Sequence, residues 1–199
     1  MCFEKGYFIN SSVSNYMNYT KKKFSALSED LIKFVPIRPN NSVLDFGCAT
    51  GGLIFELKKG GITNIKGTDI SYWAIRYGKE SFGLEKELDY FNVNLLNCSF
   101  DIVLFLDVLE HIPSITELRN ILGLVKSPVI VVRLPVSLEE GQNYHLKVSR
   151  NDQTHVQCHS KAWWETLFSS FGFFLSLVFY GKSIYDSKGV LARIYKKEE

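Results

Sequence analysis

The chain has 199 residues, 46% of them apolar and 22% charged, with a formal net charge of +2, which is the size and balance of one soluble α/β domain with a sizeable core. So small a charge does not by itself make a nucleic-acid surface, and no apolar run approaches the roughly 18 residues that a membrane span needs. Residues 1–6 lack the basic-then-apolar layout of a signal peptide, and Cys2, Cys48, Cys98 and Cys158 are scattered without a C-x-x-C, so reduced thiols and a cytoplasmic location are expected.

Residues 1–35 are polar and aromatic, with helical spacing near 19–34, and Pro36 and Pro39 interrupt the chain before the first strand. This arm is expected to lie over the ligand pocket of the core that follows. Tyr7, Tyr16 and Tyr19 could reach a ligand from it, and are equally good packing residues. Lys21-Lys22-Lys23 reads as a solvated helix face or a phosphate contact.

Residues 41–52, Asn-Ser-Val-Leu-Asp-Phe-Gly-Cys-Ala-Thr-Gly-Gly, are the most informative stretch. Val43 and Leu44 lead into Asp45 and a glycine-rich turn, and Leu53, Ile54 and Leu57 then follow at helical spacing. The pattern is strand, tight turn, helix. Gly47, Gly51 and Gly52 have no Cβ, so a nucleoside-sized ligand can approach the backbone. A dinucleotide-binding turn uses G-x-G-x-x-G and aims a helix N-terminus at phosphates. Here the spacing is Asp45-x-Gly47-x-x-x-Gly51-Gly52, which disfavours a nicotinamide dehydrogenase. A carboxylate at the strand end repels a pyrophosphate and suits the ammonium group of an amino acid.

Residues 64–70 read as a second strand ending in Asp69. A carboxylate about 20 residues past a glycine turn is placed to accept hydrogen bonds from a ribose diol; the alternative is a cap on the helix that starts near Ser71. Tyr90-Phe91-Asn92-Val93-Asn94-Leu95 reads as a third strand. The amide of Asn94 offers both donor and acceptor to a base edge, or is a turn asparagine. Residues 100–107, Phe-Asp-Ile-Val-Leu-Phe-Leu-Asp, form the apolar run of a strand buried on both faces, and Val108-Leu109-Glu110-His111-Ile112-Pro113 follows.

These segments, in this order and spacing, resemble class I S-adenosylmethionine-dependent methyltransferases, from about residue 40 to the C-terminus. Ala49 stands where the family more often has glycine, and Asn94 where it has an acid. The resemblance implies a Rossmann-like fold: a doubly wound, mostly parallel seven-stranded sheet, helices on both faces, the last strand antiparallel. It implies S-adenosylmethionine as cofactor, bound by Asp45, Gly47, Cys48, Ala49, Gly51, Asp69, Ile70, Asn94, Leu95, Leu106 and Asp107. Ile70 would lie beside the adenine, and Glu110 and His111 would border the reaction chamber.

Further along, residues 115–125 read as a helix, 128–135 as a fifth buried strand, 161–171 as a helix, and 173–180 with 190–195 as a closing antiparallel pair. Ser160 is placed to cap its helix with Trp163 and Trp164 in the first turn, one for the core and one for the rim. Gly172 falls at the helix C-terminus. Residues 136–160 form a long polar loop at the ligand edge, expected to be the substrate lid, and carry His145, His155 and His159.

Thr154-His155-Val156-Gln157-Cys158-His159-Ser160 with the aromatic helix and Phe171-Gly172-Phe173 resembles a late segment of many small-molecule methyltransferases. The sulfonium is already activated, so alignment supplies much of the acceleration, and a hydroxyl acceptor also needs a base. His155 is the first candidate for that base or a substrate contact, with His111 beside it; the alternative is that His155 only holds the loop. Asp107, Glu110 and His111 also have the spacing of the E-x-x-E-H metal ligands of ubiquinone-biosynthesis and small-RNA 3′-end methyltransferases, with His155 as a fourth ligand. Asp in place of the first Glu shortens the reach, so no metal is expected. Cys158 and His159 lack zinc spacing. No N/D-P-P-Y/F follows the fourth strand, which disfavours an amide methylase.

The expected organisation is one domain, residues 1–199, with an arm over 1–40, a Rossmann-like core over 41–199 and a substrate loop over 136–160. The expected activity is methyl transfer to an oxygen or nitrogen of a small polar acceptor such as a sugar, a nucleotide-sugar or another metabolite. A metal-dependent RNA 2′-O-methyltransferase and a non-catalytic methyltransferase-like binding module are the alternatives. A small-molecule substrate is the expected partner, with neither membrane nor nucleic acid, and nothing in the sequence sets the oligomeric state.

Overall fold

The computed structural model of the chain describes residues 3–10, 13, 14, 16, 21–184 and 186–198. Cys2 and Tyr19 lie outside them. Seven strands form one sheet in the order β3-β2-β1-β4-β5-β7-β6. They are β1 Val43–Phe46, β2 Ile65–Asp69, β3 Leu88–Tyr90, β4 Ile102–Leu106, β5 Val129–Pro135, β6 Phe173–Val178 and β7 Val190–Lys197. The first five are parallel, and β7 runs antiparallel between β5 and β6. This is the expected Rossmann-like architecture.

Side chains alternate across the sheet and feed two cores. Val43, Leu104, Val131 and Ile194 face α2 (Lys21–Phe34), α3 (Gly52–Lys59) and α4 (Tyr72–Phe82). Leu44, Phe46, Phe105 and Tyr195 face α5 (Ile115–Leu124) and α7 (Lys161–Ser169). Burial on both faces is why the central strands read as continuous apolar runs rather than alternating ones. Short helices α1 (Lys5–Ile9) and α6 (Lys147–Asn151) lie in the N-terminal arm and in the 136–160 loop. Among the described residues no helix is long and apolar enough to cross a membrane.

The strand order reverses between β1 and β4, which have β2 and β5 on their far sides. A crevice opens at such a switch point, beyond the strand C-termini. Helix α4 closes tightly on the first turn: a Cβ on its Gly78 would lie 2.3 Å from the Thr50 carbonyl oxygen.

The third strand differs from the sequence expectation. It is Leu88–Tyr90, and residues 93–97 coil into a 3₁₀ turn. The Asn92 side chain accepts the N–H of Asn94 at 3.1 Å, a local bond that competes with a sheet ladder. As an edge strand, β3 has only β2 to hold it straight. Helix α7 is capped at its N-terminus as expected, with Ser160 Oγ accepting the Trp163 N–H at 3.3 Å, but it ends at Ser169 and its C-cap is Ser170 rather than Gly172. Trp164 is fully buried and Trp163 half-buried.

Candidate active site

A cavity of about 500 Å³ lies at the C-terminal ends of β1, β2, β4 and β5. Asp45, Gly47, Cys48, Ala49, Asp69, Ile70, Leu106 and Asp107 line one part of it, and Glu110, His111 and His155 another. Tyr7 and Tyr16 reach it from the arm. Three residues named from the sequence do not line it. Gly51 caps α3 instead, and a Cβ there would meet Leu84 and Leu88 Cδ1 atoms at 2.9 Å. Asn94 is exposed, and Leu95 packs on the α5 side of the sheet. Because the chain turns early after β3, Phe91 lines the cavity with Ile70.

The first turn is tied to the end of β2. The N–H groups of Gly47 and Cys48 donate to the Thr68 carbonyl at 2.8 and 3.1 Å. Asp69 Oδ2 accepts the Ala49 N–H and Oδ1 the Ser71 N–H, both at 2.8 Å. The cap of α4 is Ser71, whose Oγ accepts the Ala74 N–H at 3.1 Å. Asp69 therefore bridges two turns rather than capping the helix. Gly47 has φ +83°, and a Cβ there would lie 2.4 Å from Val108 Cγ2. Ala49 sits at φ +50°, in the region that favours glycine.

Burial dominates the electrostatics of this end. It pushes Asp45 up to about 7, with Asp69 adding to the shift and Arg133 opposing it. Burial also raises Asp69, against the bonds from Ser71 and Ala49. It raises the Cys48 thiol well above its ordinary value, so Cys48 is a packing residue rather than a nucleophile.

Asp107 follows the last residue of β4 with φ +54°, and its N–H donates to the Arg133 carbonyl at 2.6 Å. The Arg133 side chain returns the contact. Its Nε donates to Asp107 Oδ1 at 3.3 Å, and Nη2 pairs with Oδ2. Arg133 is 6% exposed and lines the cavity. Its mark in the sequence is a lone charge inside Val-Ile-Val-Val-Arg-Leu-Pro, which periodicity alone does not single out as part of a site.

The histidine part is organised by the loop. Thr154 Oγ1 donates to Asp152 Oδ1 at 2.6 Å and lies 2.8 Å from His111 Nδ1. With the hydroxyl proton committed to Asp152, the oxygen accepts from His111 Nδ1–H, leaving a lone pair on Nε2. His155 Nδ1 donates to the Ser149 carbonyl at 3.0 Å, and its Nε2 lies 3.8 Å from Asp152 Oδ2. Tyr7 Oη donates to the same oxygen at 3.4 Å. The two imidazole centroids are 4.7 Å apart. Burial lowers both histidines, His111 to about 4 with the charge of His155 contributing, so both are neutral at pH 7. His145 faces Asp186, and His159 stacks on Trp163 at 3.6 Å and meets Glu140; neither lines the cavity.

Glu110 is fully buried, and neither carboxylate oxygen has a hydrogen-bond partner. Burial, then Asp107, pushes its carboxyl well up. Its carbonyl accepts the Val156 and Gln157 N–H groups at 2.8 and 3.0 Å, which stitches the loop to the sheet. Ligand atoms of Glu110, His111 and His155 lie within 4.8 Å of one another. Such a carboxylate–imidazole trio could hold a divalent cation. Asp107, the other member of the set read from the sequence, is not among them.

A family profile described as a methyltransferase domain matches residues 19–176. No curated protein matches by sequence. Among solved structures, a chain in the complex between the Haloferax volcanii Trm112 methyltransferase activator and the putative methyltransferase superposes with TM-score 0.67 at 12% identity, covering 89% of this chain and 91% of that one. A SAM-dependent methyltransferase from Archaeoglobus fulgidus gives 0.65 at 17% identity over 92% of this chain and 100% of that one. Magnesium protoporphyrin IX methyltransferase from Synechocystis PCC 6803 with bound SAH gives 0.60 at 15% identity over 89% and 83%. At these identities the superpositions establish the fold.

Proposed function

The chain belongs to the methyltransferase-domain family, and from that premise we propose that it moves the methyl group of S-adenosylmethionine to an oxygen or nitrogen of a compact metabolite. The chain is an S-adenosylmethionine-dependent methyltransferase; the acceptor class and the residue roles are the proposal. The observation that carries it is the continuity of one cavity from the Asp45–Asp69 turn to two neutral histidines.

In this reading Asp69 and Ile70 take the ribose and adenine, with Phe91 as a further wall. Gly47, Cys48 and Ala49 let the cofactor lie on the backbone, and Asp45, Leu106 and Asp107 border its amino-acid end. His155 Nε2 takes the acceptor proton, and the imidazolium so formed is balanced by Asp152. The arm, residues 1–40, contributes Tyr7 and Tyr16, and the loop 136–160 acts as the lid on a single domain. Around the histidines the walls are Phe3, Tyr7, Ile112, Pro113, Val148 and Val156. Such walls suit an acceptor with an apolar face and one hydroxyl or amine better than a sugar or nucleotide-sugar.

A second reading has one specific observation behind it. The partnerless Glu110 carboxylate beside His111 and His155 fits a divalent cation that would draw the acceptor hydroxyl in and lower its pKa. Titration with S-adenosylhomocysteine by calorimetry, with EDTA and with Mg²⁺ or Mn²⁺, tests the assignment. Binding indifferent to metal, with no metal retained by the protein, favours the histidine base. Retained metal favours the second reading and reopens an RNA acceptor. No binding leaves a non-catalytic module.

A further inference from the structure

The structure assigns a role to Arg133: we propose that it selects the amino-acid end of the cofactor by taking its α-carboxylate, while Asp107 and Asp45 face its α-ammonium. The inference rests on S-adenosylmethionine binding in this cavity, and goes beyond it by naming what reads the part of the cofactor that a simple nucleoside lacks.

Strand register puts Arg133 on the right face. Asp45 pairs with Leu104, Leu104 pairs with Val131, and Arg133 lies two residues beyond Val131. Asp45 and Arg133 therefore point to the same side of the sheet, with Arg133 one step nearer the open end. That is the side covered by α2, whose Lys23 adds a second positive field on Arg133 and Asp107. Arg133 lines the cavity with Asp45, Asp107 and Glu110. Removing a guanidinium from water is costly, and a strand built for packing alone is better served by an apolar residue of like volume. Its pairing with Asp107 makes a fixed dipole of two opposite charges inside the cleft. An α-amino acid carries the same two charges on one carbon. Laid against that dipole in the opposite sense, its ammonium meets carboxylates and its carboxylate meets a guanidinium that is planar and suited to bidentate contact. The adenosine end then points away, to Asp69 and Ile70.

The competing role is purely structural: Arg133 would only hold Asp107 at its positive φ. The two differ in ligand selectivity. S-adenosylhomocysteine and its decarboxylated form, S-adenosyl-3-thiopropylamine, share the nucleoside and the ammonium and differ in the carboxylate. Calorimetry on the full chain should find the wild type binding S-adenosylhomocysteine roughly ten- to a hundredfold more tightly, the range of a charge-assisted hydrogen bond. In Arg133→Met that preference should fall to within about threefold, with the affinity for the decarboxylated ligand unchanged or higher. Arg133→Lys keeps the charge but not the fork, should retain part of the preference, and decides the matter if Arg133→Met does not fold. A wild type that binds both ligands equally, or a preference undiminished in Arg133→Met or, where that variant does not fold, in Arg133→Lys, overturns the proposal and leaves the cofactor assignment standing. A wild type that binds neither overturns both.

Discussion

The carboxylate of Asp69 accepts the backbone N–H of Ala49 at 2.8 Å, joining the end of the second strand to the turn after the first. Two positions 20 residues apart in the chain are thereby held as one surface before any ligand arrives. A ribose diol presented to Asp69 meets an acceptor whose orientation is already set, so little is lost in ordering it.

Asp69→Ala should weaken S-adenosylhomocysteine binding by about 1.5–3 kcal/mol, the worth of a hydrogen bond to a charged group. Because the same side chain holds the Ala49 and Ser71 N–H groups, the melting temperature should fall as well. Asp69→Asn should recover much of the stability and less of the affinity. Calorimetry and thermal unfolding on both variants separate the two roles; unchanged affinity in Asp69→Ala would remove Asp69 from the ribose.

Ala49 occupies a left-handed backbone conformation, φ +50°, which costs an L-residue roughly 1–2 kcal/mol. Glycine is free of that strain but loses roughly 0.5–1 kcal/mol in chain entropy. Ala49→Gly should therefore stabilise the fold by a net of up to ~1.5 kcal/mol, read from urea unfolding. A loss of stability would mean that the methyl group packs better than its backbone suggests.

Asp45 has its pKa raised from 3.8 to about 7 by burial and Asp69. The folded state therefore holds this proton where the unfolded state has lost it. The sign follows: stability from this group is full below about pH 4 and is lost as the pH rises through 7. Cofactor binding runs the other way. An ammonium partner needs the carboxylate ionised, so affinity for S-adenosylhomocysteine should rise from pH 5.5 to 8, with a proton released on binding below 7. Calorimetry in buffers of different ionisation enthalpy reads that proton directly. Asp45→Asn should abolish the release, and a release that persists in the variant would move it to another group.

His155→Ala should lower turnover by about 10²–10⁴, the range of general-base catalysis, while the affinity for S-adenosylhomocysteine stays as it was. The assay is transfer of a labelled methyl group to acceptors found by screening hydroxylated and aminated metabolites. Equal losses in turnover and cofactor affinity would make His155 a strut of the loop.

Thr154→Val removes the hydroxyl between His111 and Asp152 but keeps the shape. Nitrogen-15 spectra of the histidines should show His111 losing part of its Nδ1–H population, since only the Thr154 carbonyl, 3.2 Å away, remains as an acceptor. An unchanged spectrum would make that carbonyl the group that sets the tautomer.

Local chemistry wrote the first half of the cleft into the chain. A strand, a glycine turn and a helix within residues 41–59 are each specified by neighbours in sequence, and so is the distance from that turn to Asp69. The central strands were readable because burial on both faces demands unbroken apolar runs. Asn94 falls outside the cavity because the end of an edge strand is settled by competition between one neighbouring strand and a side chain two residues away, and periodicity carries no trace of the winner. The rest of the site depends on contacts that spacing cannot encode. Arg133 meets Asp107 across 26 positions, His111 meets Thr154 across 43, and Tyr7 meets Asp152 across 145. Each pair exists only because strand register and the return of the loop bring distant segments to one sheet edge. There, low polarity forces every buried charge to find a partner or give up its ionisation.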